Sequence, residues 1–177
     1  LFSSNFFLIT CCTGTKPCLY FAIMVFPINI FIMSYKGRYK PKNSYKYLGN
    51  PTNIIYRSMW ECKLMMYLDQ HPDVLAWASE EVVIPYKSPI DGKRHRYFPD
   101  FYVKRRVNGR IRESLIEVKP SEQTVPPKKK NKVTRKYLKE VRTWGVNEAK
   151  WKAATSYCKD RGWDFKIMTE KELYGRT

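Results

Sequence analysis

Two predicted strands joined by a tight turn constrain the fold of this chain most. Residues 97–103 and 114–119 are short runs rich in aromatic and aliphatic side chains, and the dipeptide Asn108-Gly109 between them is typical of a β-hairpin turn. Facing side chains of adjacent antiparallel strands come within a few ångströms of each other. The pattern therefore predicts that Asp100 of the first strand lies close to Glu117 of the second.

The second of these strands carries two charged side chains on one face. Successive side chains of a strand point to opposite faces, so Glu117 and Lys119 point the same way while Val118 points into the core. Charged groups in so apolar a strand need a charged partner. The carboxylates of Asp100 and Glu117 are hard oxygen ligands of the kind that Mg²⁺ prefers together with a substrate phosphate. Lys119 beside the ion would orient or deprotonate a water aimed at phosphorus.

The charge of the chain indicates the class of its partner. It has 33 Lys and Arg residues against 16 Asp and Glu residues, a net charge of +17, which favours a polyanion and above all nucleic acid. Basic and aromatic side chains alternate in residues 33–56, a composition that can neutralise phosphates and stack on bases. This segment is predicted as a basic, Tyr-rich N-terminal arm, with a solvated disordered arm as the alternative interpretation.

A second basic segment follows the last of these strands. It begins after Pro126-Pro127 and passes from a loop into a basic helix, within a predicted insertion at residues 120–142. Lys150 lies further along, on the predicted helix 147–160, where a solvated helix face is the alternative to a phosphate contact. The residues predicted to contact nucleic acid are Lys36, Arg38, Lys40, Lys128, Lys129, Lys130, Lys132, Arg135 and Lys150.

Residues 1–32 differ in composition from the rest of the chain. Lys16 is their one charged residue, and the apolar run 19–32 is interrupted by Pro27 and Asn29. A signal peptide would need a basic start and a small-residue cleavage site, and neither is visible in this segment. A membrane span would need about twenty apolar residues, and this run is shorter and interrupted. We therefore favour an upstream extension of the reading frame before a start at Met33, and we expect no membrane partner.

From Met33 onward the pattern predicts a mixed α/β domain. Its predicted elements are a helix at 57–70, strands at 81–86, 97–103 and 114–119, a helix at 147–160, a strand at 163–167 and a capped C-terminal helix. Pro99 lacks the N–H group that a strand ladder needs, so it predicts an edge position or a local break beside Asp100. Glu61 falls on the apolar side of the first helix, and a surface glutamate paired with Arg57 is the alternative to a role in the site.

The order of these motifs resembles the PD-(D/E)XK nuclease superfamily. The matching positions are Glu61 on the first helix, Pro99-Asp100, and Glu117-Val118-Lys119. Residues 57–61 and 97–101 are similar to TnsA-type endonucleases. The run from Met33 through 53–58 and 116–120 is similar to the head-completion nucleases of T-even-type tailed phages. The resemblance implies a restriction-endonuclease-like α+β fold for residues 57–177, with a central mixed sheet in an α-β-β-β-α-β core flanked by helices.

The resemblance also implies a chemistry, which is Mg²⁺-dependent hydrolysis of DNA phosphodiester bonds, with Mn²⁺ as an alternative ion. Asp100 and Glu117 would hold the ion, Glu61 would be a further ligand directly or through water, and the Val118 carbonyl would complete the set. Lys119 would position the attacking water or stabilise the developing charge on phosphorus.

The resemblance finally implies a biological setting. The substrate would be the double-stranded end of a packaged phage genome, acted on while the capsid closes and before the tail attaches. The partners would be phage head and neck proteins, in the cytoplasm of an infected bacterium or in the virion. Two alternatives stay open at this point: a non-catalytic DNA-binding connector of the virion neck, and a TnsA-like endonuclease of DNA repair or transposition.

Overall fold

The computed structural model describes residues 36–129 and 132–175. Its helices are α1 (Met59–Gln70), α2 (Arg135–Lys159) and α3 (Glu170–Tyr174), with short 3-10 turns at Ser44–Lys46 and Ser121–Gln123. Its strands are β1 (Gly37–Tyr39), β2 (Ile54–Tyr56), β3 (Val74–Ser79), β4 (Ile84–Lys87), β5 (Arg94–Tyr97), β6 (Phe101–Val107), β7 (Arg110–Val118) and β8 (Asp164–Met168). The predictions for residues 1–32, Met33 and Lys130 lie outside the described residues. No helix in the two described ranges is long and apolar enough to cross a membrane.

Four strands form the central sheet, in the order β3-β6-β7-β8. Both β3 and β7 pair antiparallel with β6, whereas β8 pairs parallel with β7, so the sheet is mixed. Asn108 and Gly109 join β6 to β7 with φ angles of 50° and 74°, the left-handed backbone that a two-residue hairpin turn requires. The predicted hairpin is therefore confirmed, and its register places Phe101 opposite Ile116.

The central sheet lies between two helices, and the alternation of β7 side chains decides what faces each of them. Val118 belongs to a buried cluster that includes Leu64 of α1. Leu115 belongs instead to a cluster that includes Ala154 of α2. Glu117 has the same orientation as Leu115, since the two residues are two positions apart on one strand. Glu117 therefore points to the α2 side of the sheet, and Val118 points into the core, as the sequence predicts.

A separate two-stranded hairpin, β4–β5, packs against α2 on that side of the sheet. Ile84 pairs with Tyr97 and Tyr86 pairs with His95 across the hairpin. Ile84, Tyr86 and Tyr97 are buried in the same cluster as Ala154 of α2. The hairpin ends at Tyr97, and the chain then enters β6 within a few residues, so its position is tied to that of Asp100.

The first core strand differs from the prediction. Residues 81–86 were expected to form it, but β4 begins at Ile84 and belongs to the hairpin, whereas the strand that pairs with β6 is Val74–Ser79. In β3, Val74, Trp77 and Ala78 are all buried, and no charged side chain lies between them. Its sequence therefore lacks the apolar-polar alternation by which a half-buried strand is recognised. The order α-β-β-β-α-β nevertheless holds, through α1, β3, β6, β7, α2 and β8.

The predicted strand 97–103 is interrupted in its middle. β5 ends at Tyr97 and β6 begins at Phe101, with Pro99 and Asp100 between them. Of the two outcomes predicted for Pro99, the local break is confirmed, and the edge position is wrong because β6 pairs on both sides, with β3 and β7. A proline has no N–H group to donate to a ladder, so the pairing cannot run through it.

Residues 37–56 are part of the packed domain, so the prediction of an arm that precedes residue 57 is wrong. β1 and β2 pair antiparallel, and Ile54 belongs to the core cluster with Leu64 of α1. The fully buried Asp69 of α1 accepts hydrogen bonds from the backbone N–H groups of Lys42 (2.7 Å) and Asn43 (2.9 Å). A buried carboxylate needs such donors, so this segment and α1 stabilise each other.

The helix predictions agree more closely with the structure. Helix α1 begins at Met59, two residues after its predicted start. Helix α2 begins at Arg135, where the Thr134 hydroxyl accepts a hydrogen bond from the N–H group of Tyr137, and so includes the predicted basic helix. The predicted capping box is present at the start of α3, where the side chains of Thr169 and Glu172 cap each other's backbone N–H groups.

Candidate metal centre and nucleic-acid interface

Asp100 lies in the break between β5 and β6, beside the end of β7. Its Oδ2 atom accepts a hydrogen bond of 2.7 Å from the backbone N–H group of Val118. Because Pro99 stops the ladder and pairing with β7 begins only at Phe101, the carboxylate of Asp100 satisfies a donor at the end of β7. The local break thus holds this side chain against the last residue of the neighbouring strand.

Glu117 is buried on the α2 side of the sheet, with 4% of its surface exposed. Its Oε2 atom accepts a hydrogen bond of 2.7 Å from the hydroxyl of Tyr97. Its Oε1 atom lies 3.0 Å from the Nζ atom of Lys119. The predicted arrangement is therefore present: Glu117 and Lys119 share one face, and Asp100 is fixed at the adjacent residue of β7.

The two carboxylates raise the electrostatic energy of the site. Burial and the negative charge of Glu117 raise the pKa of Asp100 to about 7, against the opposing effects of Lys119 and the Val118 N–H group. When Asp100 is ionised, the two carboxylates carry two negative charges and Lys119 supplies one positive charge. The site therefore has an excess of negative charge when no cation is bound.

Lys119 remains an ammonium group in this arrangement. Burial alone would lower its pKa, but the negative charges of Asp100 and Glu117 outweigh burial and raise the pKa above its ordinary value. A lysine whose pKa is raised holds its proton at neutral pH. Lys119 is therefore suited to donate hydrogen bonds and to stabilise negative charge rather than to remove a proton from water.

The side chains of the site fit a hard divalent cation. Asp100 and Glu117 present carboxylate oxygens, the donors that Mg²⁺ and Mn²⁺ prefer. A cation between them would relieve the repulsion by Glu117, which together with the larger effect of burial raises the pKa of Asp100. Each carboxylate is also oriented by a neighbouring donor, the Val118 N–H group or the Tyr97 hydroxyl. Oriented carboxylates of this kind are usual among metal ligands.

Glu61 is held at the start of its own helix. Its Oε1 atom accepts a hydrogen bond from the Ser58 hydroxyl (2.9 Å) and its Oε2 atom accepts one from the backbone N–H group of Arg57 (2.8 Å). Its negative charge contributes the smallest of the effects that raise the pKa of Asp100. No three His, Cys, Asp or Glu side chains within residues 36–129 and 132–175 are placed to hold a metal ion together. A contact between Glu61 and the ion through water stays a prediction.

The predicted pairing of Arg57 with Glu61 involves the backbone only. The guanidinium group of Arg57 forms an ion pair with Glu80 instead. Glu80 has a φ angle of 56° and lies just after β3, and its backbone N–H group donates to the Asp100 carbonyl at 3.2 Å. This pair therefore links the start of α1 to the loop that carries Asp100.

Most of the predicted nucleic-acid contacts are exposed side chains. Within the described residues, exposure is found for Lys36, Arg38, Lys40, Lys128, Lys129, Lys132 and Arg135. Lys128 and Lys129 follow Lys119 in the chain after a short 3-10 turn at Ser121–Gln123. Lys150 differs from these residues, because its Nζ atom lies 5.6 Å from the centre of the Tyr97 ring and 5.7 Å from that of Tyr86.

Tyr97 is a site residue that the sequence motifs did not indicate. It is 3% exposed, and its hydroxyl donates to Glu117. Burial and the charge of Glu117 raise its pKa, so the hydroxyl keeps its proton and acts as a donor. The available signal is its position: as the inward-facing partner of Ile84 at the end of a hairpin, it is directed toward the sheet.

Two comparisons with known proteins agree with this geometry. Residues 71–170 match a family model described as TnsA-like endonuclease N terminal. The Head completion nuclease of Enterobacteria phage T4 is 43% identical over 145 residues, which cover 80% of this chain and 95% of that protein. The matched residues include Asp100, Glu117 and Lys119.

Proposed function

Because this chain belongs to the TnsA-like endonuclease family, we propose that it is an Mg²⁺-dependent DNA endonuclease that acts in phage head completion. The observation that carries the proposal is the meeting of Asp100, Glu117 and Lys119 at the end of β7. Two carboxylates with a charge excess and an ammonium group beside them are the parts that metal-assisted phosphodiester hydrolysis requires. Mn²⁺ is expected to replace Mg²⁺.

The ion and the protein would divide the chemistry between them. When bound by Asp100 and Glu117, with the Val118 carbonyl and Glu61 through water as further contacts, Mg²⁺ supplies a Lewis acid that withdraws charge from the scissile phosphate. Lys119 donates hydrogen bonds to the phosphate oxygens and stabilises the negative charge that develops as water attacks phosphorus. The Tyr97 hydroxyl and the Val118 N–H group hold the carboxylates in place throughout.

The biological step follows from the similarity to the phage relative. We assign to this chain the same step that the relative's name gives, which is completion of the phage head. The substrate would be the double-stranded end of the packaged genome in an infected bacterium, and phage head and neck proteins would be the partners. A net charge of +17 suits a protein that meets densely packed DNA.

A nicking assay on supercoiled plasmid DNA tests the proposal. The wild-type chain should cut in Mg²⁺ or Mn²⁺ and should not cut in EDTA. Asp100→Asn and Glu117→Gln should lower the rate by at least about a hundredfold, since each removes a ligand charge. Glu61→Gln should give a smaller loss, because the glutamine side-chain oxygen can still accept the N–H group of Arg57 but the neutral side chain weakens a contact to the ion through water.

Glu113→Gln is the matched control, since Glu113 lies on the same strand and face as Glu117 and pairs with Lys104. This variant should cut like the wild type. Cutting in EDTA, or full activity of Asp100→Asn or Glu117→Gln, would contradict the proposed metal centre.

A further inference from the structure

The β4–β5 hairpin carries an exposed basic surface that none of the nuclease motifs explains. Between Ile84 and Tyr97 the hairpin has four Lys or Arg residues and a single acid, Asp91. The Oδ2 atom of Asp91 lies 2.8 Å from the Nε2 atom of His95, and its Oδ1 atom accepts the N–H group of Lys93 at 3.1 Å. Asp91 is therefore engaged inside the turn and does not neutralise the other cations.

The register of the hairpin brings three cations onto one face, which we call the hairpin basic face (Lys87, Arg94 and Arg96). Lys87 lies directly opposite Arg94, and Arg96 is two positions further along the same strand. All three residues are exposed. No carboxylate of the described residues lies within ion-pair distance of any of them. Like charges directly opposite each other destabilise a sheet. The pairing of Lys87 with Arg94 therefore does not contribute to the stability of the hairpin.

The opposite face of the hairpin holds it in a fixed orientation. Ile84, Tyr86 and Tyr97 are buried against α2. At the tip, a Cβ atom placed on Gly145 of α2 would lie 3.7 Å from the Cγ atom of Pro89, an ordinary van der Waals contact. The hairpin is therefore packed along α2 over its length, and its basic face is turned to solvent.

The hairpin basic face is adjacent to the metal centre along the chain. Arg96 directly precedes Tyr97, whose hydroxyl binds Glu117, and Asp100 follows shortly after. The four residues from Arg96 to Asp100 span at most about 14 Å, so the backbone of Arg96 lies within a few nucleotides of a phosphate bound at Asp100.

We propose that the hairpin basic face binds the phosphate backbone of duplex DNA beside the scissile phosphate. The inference rests on the proposed function, since it takes DNA as the substrate of the carboxylate site. Three unpaired cations complement a polyanion, and binding of phosphates removes the repulsion between Lys87 and Arg94. Contacts of this kind position the DNA and carry no base sequence information.

The test compares the full chain with the variant K87Q/R94Q/R96Q. DNA affinity is measured in EDTA, so that no cleavage occurs, at several salt concentrations and with two duplexes of unrelated sequence. Affinity should fall at least about tenfold for both duplexes, and the slope of log K against log salt should decrease by about three, because each phosphate contact contributes about 0.9. In Mg²⁺ the KM for DNA should rise while kcat at saturating DNA stays within about twofold.

Two further variants separate this role from a general effect of charge or folding. R106Q/R110Q/R112Q removes as many charges from the exposed β6–β7 hairpin, where Arg112 is five positions from Glu117, or roughly 16 Å along the strand. It should change affinity by less than about threefold. K87R/R94K/R96K keeps the charges and should bind like the wild type.

Three results would overturn the proposal. The first is equal loss of affinity in the two neutralised hairpins, and the second is loss in the charge-preserving variant. The third is a lower melting temperature of K87Q/R94Q/R96Q, since removal of opposed like charges should leave stability unchanged or raise it. Absence of cleavage by the wild-type chain would contradict the proposed function, whereas the binding comparison in EDTA judges the hairpin basic face independently.

Discussion

Two glutamates on one face of β7 have similar neighbours and opposite electrostatic situations. Glu113 accepts a hydrogen bond from the hydroxyl of Tyr102 at 2.6 Å, and Glu117 accepts one from the hydroxyl of Tyr97 at 2.7 Å. Their side chains differ in exposure, which is 25% for Glu113 and 5% for Glu117. Each of these two glutamates of β7 therefore has a tyrosine hydroxyl as donor and a lysine nearby.

The two glutamates differ in the charge of the residue that lies next to each of them, on β6 or just before it. Glu113 faces Lys104 in the β6–β7 register, so a positive charge lies opposite the carboxylate, at 3.5 Å. Glu117 lies beside Asp100 instead, and Lys119 must serve both carboxylates. Opposite charges across a strand pair are satisfied by the protein alone, whereas the second arrangement leaves a charge that an added cation can neutralise. The comparison indicates that Asp100, rather than Glu117, distinguishes the proposed metal centre from an ordinary ion pair.

The largest difference is expected between the two lysines. Lys119→Met keeps most of the apolar stem and removes the charge, so it should lower turnover by about a hundredfold or more, as loss of a charge-stabilising donor does. DNA affinity in EDTA should change by less than about threefold. Lys104→Met should alter neither quantity. Steady-state cleavage kinetics and binding titrations measure both. A parallel fall in affinity and turnover for Lys119→Met would make Lys119 a phosphate contact without a role in the chemical step.

An intermediate effect is expected for the two tyrosines. Tyr97→Phe removes the hydroxyl that orients Glu117, and loss of such an orienting partner typically lowers metal affinity by about tenfold or more. Tyr102→Phe removes the equivalent bond to Glu113 and should leave metal affinity unchanged. The readout is the Mg²⁺ concentration that gives half of the maximal rise in melting temperature. Equal half-points for Tyr97→Phe and the wild type would show that Glu117 needs no orienting partner.

The sequence predicts this site better than it predicts the fold around it. Alternation along β7 and the Asn108-Gly109 turn are local signals, and together they place Glu117 and Lys119 on one face and Asp100 beside them. The break at Pro99 also follows from a local property of one residue. Each of these signals acts within a few positions of the chain, which is the range over which a sequence pattern is informative.

The errors concern contacts that are distant in sequence. The role of β3 depends on its pairing with β6, and the packing of residues 37–56 depends on Asp69 of α1. Tyr97 reaches Glu117 only because a separate hairpin packs on α2. No local pattern encodes which buried run pairs with which strand, so tertiary pairing decides these features.

The smallest predicted effect is on the stability of the metal-free protein, which is measured without DNA. In the folded protein, burial and the charge of Glu117 raise the pKa of Asp100 from 3.8 to about 7. The folded state therefore holds a proton that the unfolded chain releases above about pH 4, so the metal-free protein should lose stability as the pH rises from about 4 to 7. Below that range Asp100 is protonated in the folded state, and the loss should be absent.

Asp100→Asn removes this titration and keeps an oxygen that can accept the Val118 N–H group. In EDTA at pH 8 the variant should exceed the wild type in stability by at least about 1 kcal/mol, and near pH 4 the difference should be small. Glu113→Gln should instead lose a little stability at pH 8, since it breaks the pair with Lys104.

Thermal unfolding with and without Mg²⁺ measures the stability of the wild type and of both variants. Mg²⁺ should stabilise the wild type but not Asp100→Asn. An Asp100→Asn protein that is less stable than the wild type at pH 8 in EDTA would show that Lys119 already balances both carboxylates.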